Sequence, residues 1–352
     1  MKKRAGPIKV AIIGLGRAGW GMHTPEISRR PDKFTVVAGC DPIPEFRRRF
    51  ADRWNCAVFD NHAEMLAVPG VELVVVASRS TQHMEHALFA MRAGKDVFLE
   101  KPIALTYRDA LKLKAGAARY KGRLFVRHNR RFEPAFQHVR EIIASGLLGN
   151  VFDIKLRRDS FSWRDDWQTL ISCGGGQTLN WGPHLIDHAL RFLESPPAQI
   201  WSDLKHVAAA GNAEDHVRII MKGRNGRTVD IQISGGSALP EPEYIVLGTR
   251  GALTCNGNEI RIRRLDPSVR PARKTADSKS PLNGAFGTPY DFKWIEETMP
   301  VSPKAKVNID SIYDFLYETI RLGKPFPIKL AEAMEVMRIV SLVKKGTRFA
   351  PG

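Results

Sequence analysis

The chain has 352 residues, enough for about two domains, each with its own core. Hydrophobic residues at 43% and charged ones at 26% are ordinary globular values, and no run of about 18 apolar residues exists to span a membrane. The net charge of +17 raises nucleic acid as a partner, yet the basic residues are scattered, with only short clusters such as Arg47–Arg49 and Arg261–Arg264. No aromatic-interleaved or helix-turn-helix pattern accompanies them, so the expectation is a solvated basic surface and no nucleic acid.

The N-terminal Met-Lys-Lys-Arg-Ala-Gly-Pro leads straight into a strand, and the apolar stretch there is too short and glycine-rich for a signal peptide. Cysteines 40, 56, 173 and 255 form no Cys-x-x-Cys pair. Reduced thiols in a cytoplasmic protein are expected.

The first elements are the most informative. The apolar run Val10 to Ile13 breaks into Gly14-x-Gly16-x-x-Gly19 and leads into a helix. In such a turn the first glycine allows the tight bend and the second lets backbone approach a pyrophosphate. The third lets helix and strand pack, while the helix N-terminus offers free N–H groups to the anion. A second strand, Phe34 to Cys40, ends at Asp41, where a carboxylate would meet ribose hydroxyls and repel a 2′-phosphate. These elements in order predict a dinucleotide site for NAD, with NADP the lesser alternative.

Val71 to Ala77 reads as a buried parallel strand. A helix over Gln82–Ala93 closes at Gly94, and the next strand, Lys95 to Glu100, ends in Glu100-Lys101-Pro102. A helix near Thr106–Tyr120 and a strand at Leu124–Arg127 complete a doubly wound sheet ending near residue 128. Beyond it come a helix at about Pro134–Ser145 and strands at Val151–Arg157, His216–Met221, Thr228–Ser234, Tyr244–Gly248 and Ala252–Cys255. Their alternation suits an antiparallel sheet covered on one face. Residues 265–308, rich in proline, lysine and serine, read as a long connection or arm, and helices at about Asp310–Leu322 and Leu330–Lys345 finish the chain.

The chain resembles the glucose-fructose oxidoreductase, inositol dehydrogenase and rhizopine-catabolism family of nicotinamide-dependent enzymes over almost its whole length. The resemblance rests on the glycine turn, Ala77-Ser78-x-x-x-x-His83, Ala93-Gly94-Lys95-x-Val97-x-x-Glu100-Lys101-Pro102, Asn129-Arg130-Arg131-Phe132, the Gly174-Gly175-Gly176 block and Gly323-Lys324-Pro325. It implies an α/β architecture: an N-terminal Rossmann domain (1–128) and a C-terminal α+β domain (129–352) with a large, mostly antiparallel open sheet that mediates homodimers or homotetramers. It also implies that Lys101 reaches the substrate oxygen, that Glu100 and Pro102 lie beside the nicotinamide, and that Ser78, His83 and Arg131 lie near the cofactor.

After the three glycines, Asn180, His184 and His188 are spaced four apart and would share one face of a helix. The family carries Asp where Asn180 stands and retains the histidine at 184. An amide can hydrogen-bond but cannot stabilise a protonated histidine. His184 is expected to move the hydroxyl proton, assisted by Lys101, with Asn180 the third catalytic candidate. His184-x-x-x-His188, with Asp187 and Cys173, also matches a zinc spacing, but no glutamate base lies between the histidines and no metal is expected. His188 reads as a substrate neighbour or a packing residue. In the segment 159–168, Trp163, Arg164 and Trp167 are candidates for a polyol-binding wall, against the alternative that the aromatics are core.

The implied activity is hydride transfer between nicotinamide and a secondary alcohol of a sugar, sugar derivative or cyclitol. Two rivals share the fold: a glycosidase using transient oxidation, and a regulator that binds nucleotide or sugar without turnover.

Overall fold

The computed structural model describes residues 6–269, 278–279 and 292–350. Six strands form a parallel sheet: β1 (Ile8–Ile13), β2 (Phe34–Cys40), β3 (Ala57–Phe59), β4 (Leu73–Val76), β5 (Asp96–Leu99) and β6 (Leu124–Val126), in the order β3-β2-β1-β4-β5-β6. Both faces of this sheet are covered, which is why β4 is four consecutive buried apolar residues and β1 exposes only Lys9. The winding reverses between β1 and β4, and the carboxyl ends of β1, β2, β4 and β5 carry Gly14, Asp41, Ser78 and Lys101 to one edge.

Helices α1 (Thr24–Ser28), α2 (Pro44–Trp54), α3 (His62–Leu66), α4 (His83–Arg92) and α5 (Tyr107–Arg119) make the crossovers. The expected helix after the glycine turn opens as a π-helical turn, Gly19–His23, before α1. Thr106 caps α5 by accepting the Asp109 N–H at 3.1 Å.

Eight strands form the second sheet: β7 (Val151–Asp159), β8 (Pro197–Lys205), β9 (His216–Gly223), β10 (Thr228–Ser234), β11 (Tyr244–Gly248), β12 (Gly251–Cys255), β13 (Glu259–Leu265) and β14 (Trp294–Pro300). Their order is β14-β13-β12-β11-β7-β10-β9-β8, antiparallel except for β7 beside β10. One face, the row Ile219–Ile231–Leu156–Tyr244, is buried. Helices α6 (Pro134–Ala144), α7 (Gln177–Asn180), α8 (Gly182–Leu193), α9 (Ser311–Tyr317) and α10 (Leu330–Lys344) complete the chain, with α8 and α10 packed on the sheet.

Three expectations change. Strands β3, β8, β13 and β14 and helices α2 and α3 went unread, and β14 falls inside 265–308, so that segment is not wholly a connection; residues 270–277 and 280–291 of it lie outside the described residues. The helix through Asn180, His184 and His188 is two helices, α7 and α8. The C-terminal helices also return to the first sheet: Tyr313 of α9 packs edge-on against Phe34 at 5.3 Å and Phe98 at 5.4 Å, and α10 packs on α5 as well as α8.

Candidate active site

The glycine turn separates packing from ligand approach. Gly14 sits at φ +90°, and a Cβ there would lie 2.5 Å from backbone atoms of Ala77 and Ser78. A Cβ on Gly19 would fall 1.9 Å from the Gly14 carbonyl oxygen. Gly16 has no such constraint, since its nearest neighbour, Phe46, would be at an ordinary 3.6 Å. The protein's own packing does not demand glycine at 16, whereas close approach of a pyrophosphate does.

Asp41 is 7% exposed at the end of β2. Its Oδ2 accepts the Leu15 N–H at 2.8 Å and its Oδ1 accepts the Ile43 N–H at 2.9 Å. Arg47 donates to the Asp41 carbonyl at 2.7 Å, and Arg49 donates to the Leu15 carbonyl at 2.8 Å while lying 4.5 Å from the Trp20 ring centre. Both arginines therefore have work within the protein. Free backbone at Gly16 and a carboxylate at the second strand end fit a dinucleotide carrying unphosphorylated ribose hydroxyls.

Lys101 and the second domain meet because α7 stops. Pro183 has no N–H to donate to the Leu179 carbonyl, so the ladder breaks at Trp181. The His184 N–H then bonds the Trp181 carbonyl at 3.0 Å instead of that of Asn180. The released Asn180 carbonyl accepts Lys101 Nζ at 2.9 Å. Thus Asn180 holds the ammonium through its backbone, and the residue also lines a small cavity with Ser162, Arg164 and Gln177.

Electrostatics divides the pair. Burial, opposed by Glu100 and reinforced by Arg130, Arg127 and Arg17, brings Lys101 down to about 8. Burial and then the charges of Lys101 and Arg130 hold His184 well below the ordinary histidine range. His184 is 6% exposed, and its Nδ1 has no partner among the described residues. Near neutral pH the site contains a neutral imidazole beside a lysine poised to change charge.

The remaining candidates divide into groups facing the crevice and groups holding it together. Ser78 Oγ bonds His86 Nδ1 at 2.9 Å. His83 is 2% exposed and its ring lies between the Pro102 and Ser78 carbonyls, at 2.7 and 3.0 Å; burial disfavours its charge, and the neutral ring donates to one of the two. The Lys101–Pro102 peptide is cis. The Glu100 carboxylate points inward to Arg127 at 2.9 Å and His23 at 3.1 Å. Arg131 is bound to Asp187 (2.9 Å) and Glu332 (2.6 Å), joining the segment before α6 to α8 and α10. His188 is fully buried, stacked 3.8 Å from Phe136 and bonded to the Arg130 carbonyl at 2.9 Å. Among the described residues no three His, Cys, Asp or Glu side chains gather where they could hold a metal.

The 159–168 segment reaches the first domain. Trp163 is 77% exposed, Arg164 bonds Asp166 at 2.6 Å and Gln168 at 2.7 Å, and the Trp167 ring lies 5.6 Å from the Arg79 guanidinium. Sequence reasoning missed the group behind His184: Trp181 lies under Arg130 (4.3 Å) and Arg158 (5.0 Å), both paired with Glu133. The signal was present in Asn129-Arg130-Arg131-Phe132, where only the second arginine was singled out.

Residues 8–128 match the model of an oxidoreductase family with an NAD-binding Rossmann fold, and residues 136–254 match the GFO/IDH/MocA C-terminal domain. The scyllo-inositol 2-dehydrogenase (NADP(+)) of Bacillus subtilis is 24% identical, over 99% of this chain and 96% of its own. The D-glucoside 3-dehydrogenase of Escherichia coli is 30% identical, over 54% of this chain and 55% of its own. An NAD-binding protein from Listeria innocua, 22% identical, has the same fold, with a TM-score of 0.80 covering 96% of this chain and 93% of that one. No helix among the described residues is long and apolar enough to cross a membrane. With both domain models matched in order, the chain belongs to the GFO/IDH/MocA family of NAD-binding oxidoreductases.

Proposed function

We propose that the protein is an NAD-dependent dehydrogenase oxidising a secondary alcohol of a sugar, sugar derivative or cyclitol. The observation that carries this reading is Lys101 Nζ, at the carboxyl edge of the parallel sheet, bonded to the Asn180 carbonyl one helical turn before buried His184. Bound NAD would supply the hydride acceptor. The glycine turn and Asp41 would hold it, with Ser78, the Glu100–Pro102 turn and His83 shaping the nicotinamide end. Trp163, Arg164, Trp167 and the Asn180 amide would contact substrate, with His188 and Arg131 supporting them from behind.

In place of the expected proton transfer by His184, we propose that Lys101 carries the proton, a reading supported by the lowered Lys101 pKa and by the burial that keeps His184 neutral. His184 Nε2, on a ring that disfavours charge, orients the substrate hydroxyl. Lys101 Nζ takes the proton when neutral and, when charged, stabilises the developing alkoxide.

Division near residue 128 is the domain boundary we favour, supported by the end of the parallel sheet at Val126. A homodimer or homotetramer through the second sheet is supported by Trp201 and Trp294, which stand exposed on its edge strands β8 and β14. A cytoplasmic location is supported by four free cysteines.

The test incubates the protein with NAD and a panel of inositols, monosaccharides and glucosides, following NADH. Release of NADH is the expected result. Cleavage of a nitrophenyl glycoside with no net NADH would mark the glycosidase instead, and ligand binding with neither activity would mark a regulator.

A further inference from the structure

We propose that Glu214 and Lys344 are positioning residues for Lys101, acting through helix α7; this rests on the role given to Lys101 above. Glu214 precedes β9 and Lys344 ends α10, and they are 1% and 3% exposed. Lys344 Nζ lies 3.1 and 3.3 Å from the two Glu214 carboxylate oxygens. The same carboxylate accepts the Thr178 N–H at 3.1 Å, and the Glu214 carbonyl accepts the Gln177 N–H at 2.9 Å. Gly176, at φ +103°, makes room for it: a Cβ there would lie 2.4 Å from both carboxylate oxygens.

From there the bonds run to the reacting end. The Asn180 N–H donates to the Gly176 carbonyl at 2.9 Å, and the Asn180 carbonyl accepts Lys101 Nζ at 2.9 Å. Helix α7 has four residues, far below the ~12–15 at which an isolated helix begins to hold its own shape. Its placement must come from outside, and the Glu214 carboxylate bonds its first turn while Lys344 fixes that carboxylate. A buried ion pair is weak evidence for a stability role, since apolar residues of similar volume often serve as well. Its use here is to set where one carbonyl points.

The test uses Glu214→Leu/Lys344→Met, which removes both charges together and leaves the net charge unchanged. Folding is checked by thermal melting. The Lys101 amine is then titrated by competitive acylation against pH, read by peptide mass spectrometry. In the wild type the profile should turn near pH 8. Losing the Asn180 carbonyl destabilises the ammonium, so the variant's profile should move to lower pH by about one unit, the size of one hydrogen bond to a charged group. Turnover should fall on the order of 10²-fold, as for a displaced reacting group, while the Kd for NAD stays within a few-fold. A folded variant with unchanged labelling and turnover overturns the proposal. If it does not melt cooperatively, Glu214→Gln/Lys344→Gln keeps a neutral polar contact in place of the charged one. That variant should show a smaller movement in the same direction, and no movement is equally fatal. Labelling reads Lys101 whether or not any polyol is oxidised, so a wild type inactive on every polyol defeats the dehydrogenase reading and leaves this test intact.

Discussion

Asp41 Oδ2 accepts the backbone N–H of Leu15 at 2.8 Å, so the carboxylate expected at the cofactor ribose also holds the glycine turn in place. This dual use changes what a substitution at Asp41 reports. Alanine removes the negative charge and the clamp on the turn together, and should weaken NAD and NADP alike. Asparagine keeps an acceptor for Leu15 and removes only the charge. We expect wild type to bind NAD more tightly than NADP, and Asp41→Asn to narrow the gap by about 10-fold or more, the worth of a charge-assisted hydrogen bond. Calorimetry with both cofactors at one salt concentration measures it. Tighter NADP binding by the wild type would contradict the assignment.

Lys101→Met and His184→Ala should each lower kcat by about 10²–10⁴-fold, the usual cost of a positioned proton-transfer group. The Kd for NAD should change little, because neither side chain holds the glycine turn. Steady-state rates with cofactor titrations separate the two effects, and near-normal turnover in either variant removes that residue from the mechanism.

Much of this was legible in the sequence because parallel strands buried on both faces leave uninterrupted apolar runs, as at Leu73–Val76. The strands that escaped notice are β3, β8, β13 and β14, and three of the four bury no residue fully. β8 has no fully buried residue, β14 alternates exposed with half-buried positions, and β13 interleaves Ile260 and Ile262 with arginines. The helix break was written in Gly182-Pro183, yet spacing alone favoured one face through Asn180, His184 and His188. What could not be read was the direction of polar groups. The Glu100 carboxylate turns inward to Arg127, Arg131 is consumed by Asp187 and Glu332, and the Asn180 backbone bonds Lys101.

Arg127, 1% exposed, bonds Glu100 at 2.9 Å and also pairs with Glu26, so it is the cation for two buried carboxylates. Arg127→Met should destabilise the fold by about 3–5 kcal/mol, the cost of breaking a buried pair from one side. The pH dependence follows from Glu100. Burial alone would raise its pKa, but Arg127 and then His23 bring it below the ordinary carboxylate range. A carboxylate depressed in the fold adds stability above its unfolded pKa and loses it as pH falls through the folded value. Without Arg127 that loss should begin at higher pH. Urea melts across the acidic range would show it, and parallel curves for both proteins would remove Arg127 from this role.

The last expectation concerns pH and Asn180 together. Neutral Lys101 accumulates above about pH 8, so kcat for alcohol oxidation should rise through that region and carbonyl reduction should fall through it. His184 should contribute no limb between pH 6 and 8, because burial and the neighbouring cations keep it neutral there. Asn180→Asp replaces the side-chain amide with a carboxylate, leaving the backbone carbonyl that holds Nζ in place. A negative charge nearby favours the protonated form of both Lys101 and His184, so the acidic limb of oxidation should move to higher pH. If the amide instead serves only to bond a substrate hydroxyl, the substitution should raise KM and leave the limb where it was. Profiles of kcat and kcat/KM against pH for the two proteins separate these outcomes, and an unmoved limb would show that position 180 acts on the substrate rather than on the proton.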